Sequence, residues 1–534
     1  MMRIAILLGL FSLTLAGQQV TSGDLVSANE NAANWVTYNG SYDSRHYREL
    51  DQIKTSNVSN LELKWVWQAH SLEKFESCPL VVDGVMYVVQ MPNDVVALDA
   101  RTGREFWRYE HVMQGRQNVC CGRVNRGLAM LGERLFMGTI DGKLIALDAK
   151  TGALEWEREL VDPEGGYSLT TAPLVVKDKV VLGTAGGEYG IRGWLAAFSP
   201  ENGEELWRFW TIPAPGEPGH ETWKGDAWQR GGGSIWLTGS YDPDLDLMYW
   251  GTGNPAPDWN GDVRPGDNLY TDSVVALDPD DGKLKWHFQF TPHDVWDYDS
   301  VQIPVLVDRE WQGRQRKLML WGNRNGFFYV LDRSNGEFLL GKPFAKVSWA
   351  SGLDAKGRPM RTEGAEPSRG GVRTWPSVQG ATNWYAPTYN PETGLFALST
   401  WEYASVYHKG DPEYTRGNRY IGSLPRGVWP DVRKDENPGY GEIQAIDPET
   451  GEARWRYRMT GISESGLLSS SGGLIFSGSL EGYFFALDAK NGELLWRANL
   501  GGRMANTPIT YTAEGQQLVT VAAGNSLFTF GLRE

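Results

Sequence analysis

One short phrase returns seven times along the 534-residue chain. Each copy runs from an apolar pair through Asp or Ser, a few turn residues and Gly to a second run that usually closes with Trp. The copies end at Trp107, Trp156, Trp207, Trp286, Leu340, Trp455 and Trp496. The order strand, Asp-x-x-x-Gly turn, strand indicates a β-hairpin in which Gly takes the positive-φ position. Because several copies follow one another at intervals of roughly 40–55 residues, the chain is predicted to be an array of similar units.

Further short apolar runs lie between the copies. Residues 79–89 and 173–184 each contain two such runs around a polar turn, which gives about four antiparallel strands per unit, the composition of a propeller blade. The interval between the copies ending at Leu340 and Trp455 is unusually long, and YNPETGLFAL at 389–398 is interpreted as a degenerate copy within it. With that copy counted, the sequence predicts an all-β fold, an eight-bladed β-propeller of four-stranded antiparallel blades.

The two ends of this array are predicted to meet. LELKWVW at 61–67 and LFTFGL at 527–532 are both strand-like, and pairing them in one sheet would close the ring. The Trp residues that end the phrases are expected to fill the wedges between neighbouring blades. Since each blade contacts only its neighbours, such an array can be long. We therefore expect residues 17–534 to form a single propeller domain.

The N-terminus indicates export. Residues 4–16 are apolar, with one Arg before them and the small residues Ala16 and Gly17 at their end. This apolar core is too short to span a bilayer, so residues 1–16 are predicted to be a signal peptide, with an uncleaved anchor as the alternative. The net charge of −15 argues against nucleic acid as a partner and permits docking to a basic protein.

Two of the three cysteines, Cys120 and Cys121, are adjacent. In an exported chain such a pair can close a small strained disulfide ring, but the ring spans no loop, so a chain-entropy benefit is absent. Its use would lie in shape or redox chemistry. The alternative is a pair of buried thiols, and Cys78 is expected to be a buried thiol in either case.

Seven motifs together resemble the quinoprotein alcohol dehydrogenases, eight-bladed periplasmic enzymes that use pyrroloquinoline quinone (PQQ) and a metal ion. The motifs are CCGRVNRG, TAGGEYGIRG, GGGSIW, GTGNPAPDWNGD, TPHDVWDYD, NRNGFFYVLDR and GGLIFSGSLEGYFFALDAKNGELLW. The resemblance covers nearly the whole chain after the predicted signal. It implies oxidation of a primary alcohol to an aldehyde in the periplasm. A sugar- or polymer-oxidising quinoprotein and a non-enzymatic envelope propeller scaffold are the rival interpretations.

The resemblance also implies how the cofactor is held. A disulfide between Cys120 and Cys121 would lie against one face of the flat quinone and Trp236 against the other, since both faces are apolar and the rim is charged. Arg126 would pair with one cofactor carboxylate and Thr170 would hydrogen-bond another.

Three further positions are expected near the quinone. Where the family often has Ser, this chain has Ala185, so the main-chain N–H groups of Gly186 and Gly187 are expected to make more of the contact. Asn383 is a candidate for a cofactor contact. Trp384 beside it is either a cofactor contact or a core residue.

By the same resemblance, Glu188 and Asn254 would be metal ligands. Carboxylate and amide oxygens suit a hard ion such as calcium. Asp297 is implied as the catalytic base that removes the hydroxyl proton while hydride leaves the adjacent carbon. Arg324 would place positive charge beside the quinone oxygens and so stabilise the reduced cofactor.

The metal itself is either a lanthanide or Ca²⁺. Asp299 lies two residues after Asp297, and on an extended segment both side chains point to the same side, so both carboxylates could face one ion. Family members that use lanthanides carry Asp at this place. The alternative is that Asp299 hydrogen-bonds its own turn.

Further sequence features concern the surroundings of the site. The chain has no C-x-x-C-H motif, so it is expected to carry no haem and to pass electrons to an external acceptor such as a c-type cytochrome. The segment 461–473 lacks a Trp that many family members have. Insertions at about 345–383 and 401–441 are expected to cover the cofactor and shape the alcohol pocket. A homodimer is compatible with the family.

Overall fold

The computed structural model describes residues 19–423, 439–459 and 461–533. The signal peptide predicted for residues 1–16 lies outside them. Within them the chain forms eight antiparallel sheets arranged as the blades of a propeller, so the predicted fold is confirmed. No helix in these ranges has the length and apolar character needed to cross a membrane.

Blades 1 to 4 each contain four consecutive strands. In blade 1 these are Leu80–Val82, Val85–Gln90, Asp94–Asp99 and Glu105–Tyr109, and in blade 2 Ala129–Leu131, Arg134–Gly138, Lys143–Asp148 and Leu154–Glu159. Blade 3 has Leu174–Val176, Lys179–Gly183, Trp194–Phe198 and Glu205–Trp210, and blade 4 has Ser240–Asp242, Leu247–Gly251, Ser273–Leu277 and Leu284–Gln289.

Blades 5 and 7 are also built from consecutive strands, whereas in blade 6 the strand Ser405–Tyr407 lies in the sequence between the second and third strands. The strands of blades 5, 6 and 7 are, in order, Val305–Trp311, Arg314–Gly322, Phe327–Asp332 and Glu337–Pro343; Thr388–Asn390, Leu395–Glu402, Tyr440–Ile446 and Ala453–Met459; and Leu468–Ser470, Leu474–Gly478, Tyr483–Asp488 and Leu494–Asn499. The short strand Tyr47–Arg48 joins blade 7 as a parallel neighbour of Leu468–Ser470.

Blade 8 joins the two ends of the chain. Its first three strands are Ile509–Ala513, Gln516–Ala523 and Ser526–Leu532, and its fourth is Leu61–Gln68, which pairs with Ser526–Leu532 from Leu61↔Leu532 to Gln68↔Ser526. The predicted ring closure is therefore confirmed.

Long connections and a few short elements lie outside the blade strands. Two small two-stranded antiparallel sheets are among them: the hairpin of Ala350–Leu353 with Pro359–Arg361, and the long-range pair of Val372–Thr374 with Ser405–Tyr407. One short α-helix spans Ser22–Val26. The 3₁₀ turns are Val58–Asn60, Pro163–Gly165, Gly187–Tyr189, His220–Thr222, Ala227–Arg230 and Gly261–Val263.

Each of the seven phrases is the hairpin between the third and fourth strands of blades 1 to 7. The interpretation of residues 389–398 as a further copy is wrong, because these residues form the hairpin between the first two strands of blade 6. The eighth blade is instead the one closed by both chain ends. It lacks a copy of the phrase because its fourth strand comes from the start of the sequence.

The phrase fixes how each blade meets the next one. The indole of the Trp that ends one phrase lies against the turn Gly of the following phrase, as Trp207 does with Gly282. The indole N–H also donates to a carbonyl oxygen of that turn in Trp107, Trp156, Trp207 and Trp455, and for Trp207 the acceptor is the Pro279 oxygen at 3.0 Å. The N–H of Trp286 is buried without such a partner. Trp65 of blade 8 makes the same contact with Gly103 of blade 1. The prediction that these Trp residues pack between blades is confirmed.

The centre of the ring is filled by the axial segment, residues 33–48. Its backbone hydrogen-bonds in turn to the first strands of blades 1, 4, 5, 6 and 7, at Val81, Tyr241, Leu306, Tyr389 and Ser469. Trp35 and His46 of this segment are almost fully buried. Burial lowers the pKa of His46 to about 3, so its imidazole is neutral at ordinary pH.

The contact between Trp207 and Gly282 predicts a stability difference between two glycine substitutions. A Cβ on Gly282, at φ +69°, would overlap the Trp207 ring, whereas Gly313, at φ +78°, has nothing within 4 Å of the same position. Gly282→Ala should cost about 2–5 kcal/mol from backbone strain and overpacking, and Gly313→Ala about 1–2 kcal/mol from strain alone. Thermal unfolding followed by circular dichroism compares the two. Equal losses of stability would contradict the inter-blade role of Gly282.

Candidate active site

All the predicted site residues emerge at one end of the propeller. In a four-stranded antiparallel blade, the turn between strands 2 and 3 and the connection from strand 4 to the next blade lie at the same end, opposite the phrase hairpins. Inter-blade connections carry Cys120, Cys121, Arg126, Thr170, Trp236, Asp297, Asp299 and Asn383, and turns between strands 2 and 3 carry Gly186, Gly187, Glu188, Asn254 and Arg324. Residues far apart in sequence are therefore brought to one mouth.

The Arg324 guanidinium lies between two of the predicted carboxylates. Its Nη1 is 2.6 Å from Asp299 Oδ2 and its Nη2 is 3.6 Å from Asp297 Oδ2. The other oxygen of Asp299 accepts the main-chain N–H of Asn254 at 2.9 Å. The structure thus brings together the predicted base, the predicted cation and two predicted metal ligands. The side chain of Asp299 bonds other loops and not its own turn, so the turn alternative is wrong.

The backbone around Asp297 differs from the expected extended segment. Asp297 has φ +63°, and the carboxylate of Asp294 accepts the N–H groups of Trp296 and Tyr298 at 2.9 and 2.8 Å. These bonds curl the segment. Asp297 and Asp299 nevertheless face the same guanidinium, so the conclusion that both could face one ion stands on a different geometry.

The turn that carries Glu188 is shaped by glycine. Gly186 has φ +119°, and a Cβ there would collide with the carbonyl oxygen of Gly166. The Cβ position of Gly187 lies 3.6 Å from Asn254 Oδ1. The turn therefore holds Glu188, which is partly exposed, beside the amide of Asn254.

The adjacent cysteines lie next to Glu188. The sulfur atoms of Cys120 and Cys121 and a carboxylate oxygen of Glu188 are all within 4.8 Å of one another. Both cysteines are present as thiols, and the disulfide between them stays a prediction. Cys78 is a buried free thiol, as expected, and burial raises its pKa to about 12.

Arg126 forms a second centre with Thr170 and Trp236. Its Nη1 donates to Thr170 Oγ1 at 3.1 Å and to the Trp236 carbonyl oxygen at 3.2 Å, and its guanidinium lies 4.7 Å from the Trp236 ring centroid. Its Nη2 donates to Glu76 Oε2 at 2.9 Å. Glu76 was missed because no repeat or motif marks it in the sequence.

Asn383 and Trp384 lie on the rim of the same mouth. Asn383 is buried, and its amide donates to the Gln379 carbonyl oxygen and accepts the Trp384 N–H, so it is engaged within its own loop. Trp384 belongs to the hydrophobic core and also faces Arg126, whose guanidinium is 5.6 Å from its ring centroid.

The second insertion reaches the site. Arg419 donates to the carbonyl oxygen of Cys120 at 3.0 Å, and the N–H of Tyr420 donates to that of Glu188 at 2.6 Å. Residues 424–438 of this insertion lie outside the described ranges. The expectation that the insertion covers the site is supported by these two contacts, and Arg419 is a residue that sequence reasoning did not find.

Asp258 was also missed, although it lies inside a quoted motif. It is 1% exposed and accepts a hydrogen bond from Asn254 Nδ2 at 3.1 Å. The sequence signal that could have identified it is an acidic residue between Pro257 and Trp259 in the motif GTGNPAPDWNGD.

The site has more negative than positive charge. Four carboxylates meet there, those of Glu188, Asp258, Asp297 and Asp299. Among the described residues, Arg324 is the one cation in ion-pair contact with any of them, and it contacts only Asp297 and Asp299. Burial raises the pKa of Glu188. It also raises the pKa of Asp297 well above its usual range, with Arg324 opposing the shift and the neighbouring acids reinforcing it. A bound cation would reverse these shifts.

These residues fit an acidic quinone with a hard metal ion. The Nε atoms of Arg126 and Arg324 are buried without a hydrogen-bond partner, so both guanidinium groups have donor capacity left for anionic oxygens. The excess of carboxylates, together with the amide oxygen of Asn254, is the donor set that hard cations prefer.

Two family models match parts of the chain. The family model for PQQ, described as the glucose/ethanol/alcohol dehydrogenase β-propeller domain, matches residues 35–347. A second, for the outer membrane protein assembly factor BamB, matches residues 439–532.

Three relatives are similar over nearly the whole chain. The chain is 37% identical to quinoprotein alcohol dehydrogenase PedH of Pseudomonas putida over 97% of its length and 91% of the relative. It is 36% identical to the lanthanide-dependent methanol dehydrogenase of Methylacidiphilum fumariolicum over 97% and 88%. The crystal structure of the quinohemoprotein alcohol dehydrogenase of Comamonas testosteroni superposes with a TM-score of 0.92 at 34% identity, covering 97% of this chain and 83% of that one. The chain is a member of the PQQ-dependent quinoprotein alcohol dehydrogenase family.

Proposed function

We propose that the protein oxidises a primary alcohol to an aldehyde in the periplasm and passes the electrons to an external acceptor such as a c-type cytochrome. The observation that carries this proposal is the meeting of Asp297, Asp299 and Arg324 beside Asn254 at the propeller mouth. It is supported by the family membership. The envelope scaffold would have no use for this buried arrangement of charges.

The chain's own residues have distinct roles in this proposal. Arg126 and Thr170 would bind cofactor carboxylates, with the cysteine pair and Trp236 against the two faces of the ring system. Glu188, Asn254, Asp297 and Asp299 would hold the metal. When bound, metal-polarised PQQ supplies the two-electron oxidant that accepts hydride from the substrate carbon.

Asp297 would take the hydroxyl proton of the alcohol. Its side chain is 21% exposed, against 9% for Asp299, so of the two it is the one that a substrate can reach. Arg324, 3.6 Å away, favours the ionised form of Asp297 and so opposes the effect of burial. A bound cation would act in the same direction and leave the carboxylate ready to accept a proton. Loss of that proton and of hydride from the adjacent carbon converts the alcohol to an aldehyde.

Reconstitution with PQQ tests the reaction itself. The protein is loaded with PQQ and either Ca²⁺ or La³⁺, and oxidation of alcohols of graded length is followed with an artificial electron acceptor. Primary alcohols should be oxidised with the appearance of aldehyde. Preferential oxidation of sugars or polymers would instead favour the rival quinoprotein activity.

Replacement of the proposed base should remove catalysis and leave cofactor binding intact. Asp297→Asn keeps the size of the side chain but removes the base, so turnover should fall by about 10²–10⁴-fold while the absorption of bound quinone persists. Asp178→Asn is the control, since this aspartate is highly exposed in a turn at the opposite end of the ring. Near-normal turnover of Asp297→Asn would remove it from this role.

The cysteine pair is predicted to be oxidised in the active enzyme. Cys121 is exposed and Cys78 is buried, so alkylation of the native protein distinguishes the states. A disulfide leaves all three cysteines unlabelled and lowers the intact mass by two hydrogens. Alkylation of Cys121 in fully active enzyme would overturn the stacking disulfide.

The metal is proposed to be a lanthanide. A trivalent ion is better matched by Glu188, Asp297 and Asp299 than a divalent ion is, and it polarises the quinone more strongly. The lanthanide-dependent relative supports this choice. The structural argument for a trivalent ion is the number of carboxylates, three, that would face it.

Titration of the stripped enzyme tests the metal preference. La³⁺ should restore more activity than Ca²⁺ in the unaltered protein, and Asp299→Ala should lose that advantage. Asp262→Ala is the control, because Asp262 lies in the 3₁₀ turn Gly261–Val263 and its highly exposed side chain pairs with Lys409. Full activity with Ca²⁺ alone and an unchanged preference in Asp299→Ala would show that Asp299 does not select the metal.

A further inference from the structure

The side chain of Asn254 has a defined orientation in the site. Its Nδ2 donates to Asp258 Oδ1 at 3.1 Å, with a longer contact of 3.4 Å to the Pro255 carbonyl oxygen. Its Oδ1 lies on the side of the Glu188 turn, 3.6 Å from the Cβ position of Gly187. One end of the amide therefore faces Asp258 and the other faces the site.

A carboxylate determines which end of an amide it meets. An ionised carboxyl group only accepts hydrogen bonds, whereas a carboxamide donates through nitrogen and accepts through oxygen. Rotation of the Asn254 amide by half a turn would place its oxygen against Asp258 and its N–H₂ group toward the site. Such an arrangement is repulsive at one end and would present hydrogens to a cation at the other.

Asn254 is the one described hydrogen-bond donor to the Asp258 side chain, and the nearest favourable charge is the buried Arg264 guanidinium, which donates to the neighbouring Pro257 carbonyl oxygen. Asp258 is 1% exposed, and among the described residues it takes part in no ion pair, its one side-chain hydrogen bond being that from Asn254. A charge buried in this way is costly unless it is compensated nearby.

We propose that Asp258 is a positioning residue that holds the Asn254 amide with its oxygen directed at the metal. This rests on the proposed metal role of Asn254. Asp258 acts through the amide and need not touch the ion. Partners that orient a ligand in this way typically contribute about 10–100-fold to metal affinity.

Metal affinity measured without turnover tests the proposal. Full-length protein loaded with PQQ is titrated with Tb³⁺, and binding is followed by luminescence sensitised by tryptophan. Asp258→Ala should weaken binding by about 10–100-fold. Asp258→Asn should retain most of the affinity, because its own amide oxygen can still accept from Asn254 Nδ2. Asp262→Ala should bind as the unaltered protein does.

A double-mutant cycle separates positioning from direct ligation or simple charge. If Asp258 acts through Asn254, Asp258→Ala should cause no further loss of affinity in an Asn254→Ala background. Equal losses in both backgrounds, or an Asp258→Asn variant as weak as Asp258→Ala, would overturn the proposal. Failure of the unaltered protein to bind Tb³⁺ would instead reject the metal site of the proposed function. Far-ultraviolet circular dichroism confirms that each variant is folded.

Discussion

The contact of one blade's terminal indole with the next blade's turn glycine is the interaction on which the rest of the structure depends. It sets the angle between neighbouring sheets, and it is repeated by Trp65 and Gly103 across the join of the two chain ends. Where the closing residue is Leu340 instead of Trp, the side chains of Leu340 and Lys342 lie against Gly451. Since the loops at the mouth extend from these sheets, the angles between the blades determine which loops meet. The distance between Arg324 and Asp299 is thus a consequence of packing made far from it.

The loops at the mouth hold more carboxylates than cationic side chains. Glu188, Asp258, Asp297 and Asp299 converge there with one guanidinium in contact. Burial of unpaired charge costs several kcal/mol per ion in proteins. In the absence of a cation, that cost is reduced when the acids hold protons, which agrees with the raised pKa of Glu188 and Asp297. The same buried carboxylates that lower the stability of the fold therefore attract a highly charged cation.

The fold could be predicted from the sequence because each blade requires the same local residues, which therefore repeat along the chain. The Asp-x-x-x-Gly turn and the closing Trp are needed at each blade contact, so they recur. The phrase is absent from blade 8, whose strands come from both ends of the chain, and local reasoning therefore assigned the missing unit to residues 389–398. Site residues inside motifs, such as Asp299 and Arg324, could be named in advance. Glu76 and Arg419 could not, because they meet the site only through long-range packing and belong to no repeated pattern.

The axial segment also affects how small molecules can enter and leave the site. Its backbone is hydrogen-bonded to the inner strands of blades 1, 4, 5, 6 and 7, so these residues occupy the axis between the two ends of the ring. A small molecule that enters the site at the mouth would then have to leave by the mouth as well. An aldehyde product and the next alcohol substrate would then use the same opening, so each product would have to be released before the next substrate could bind.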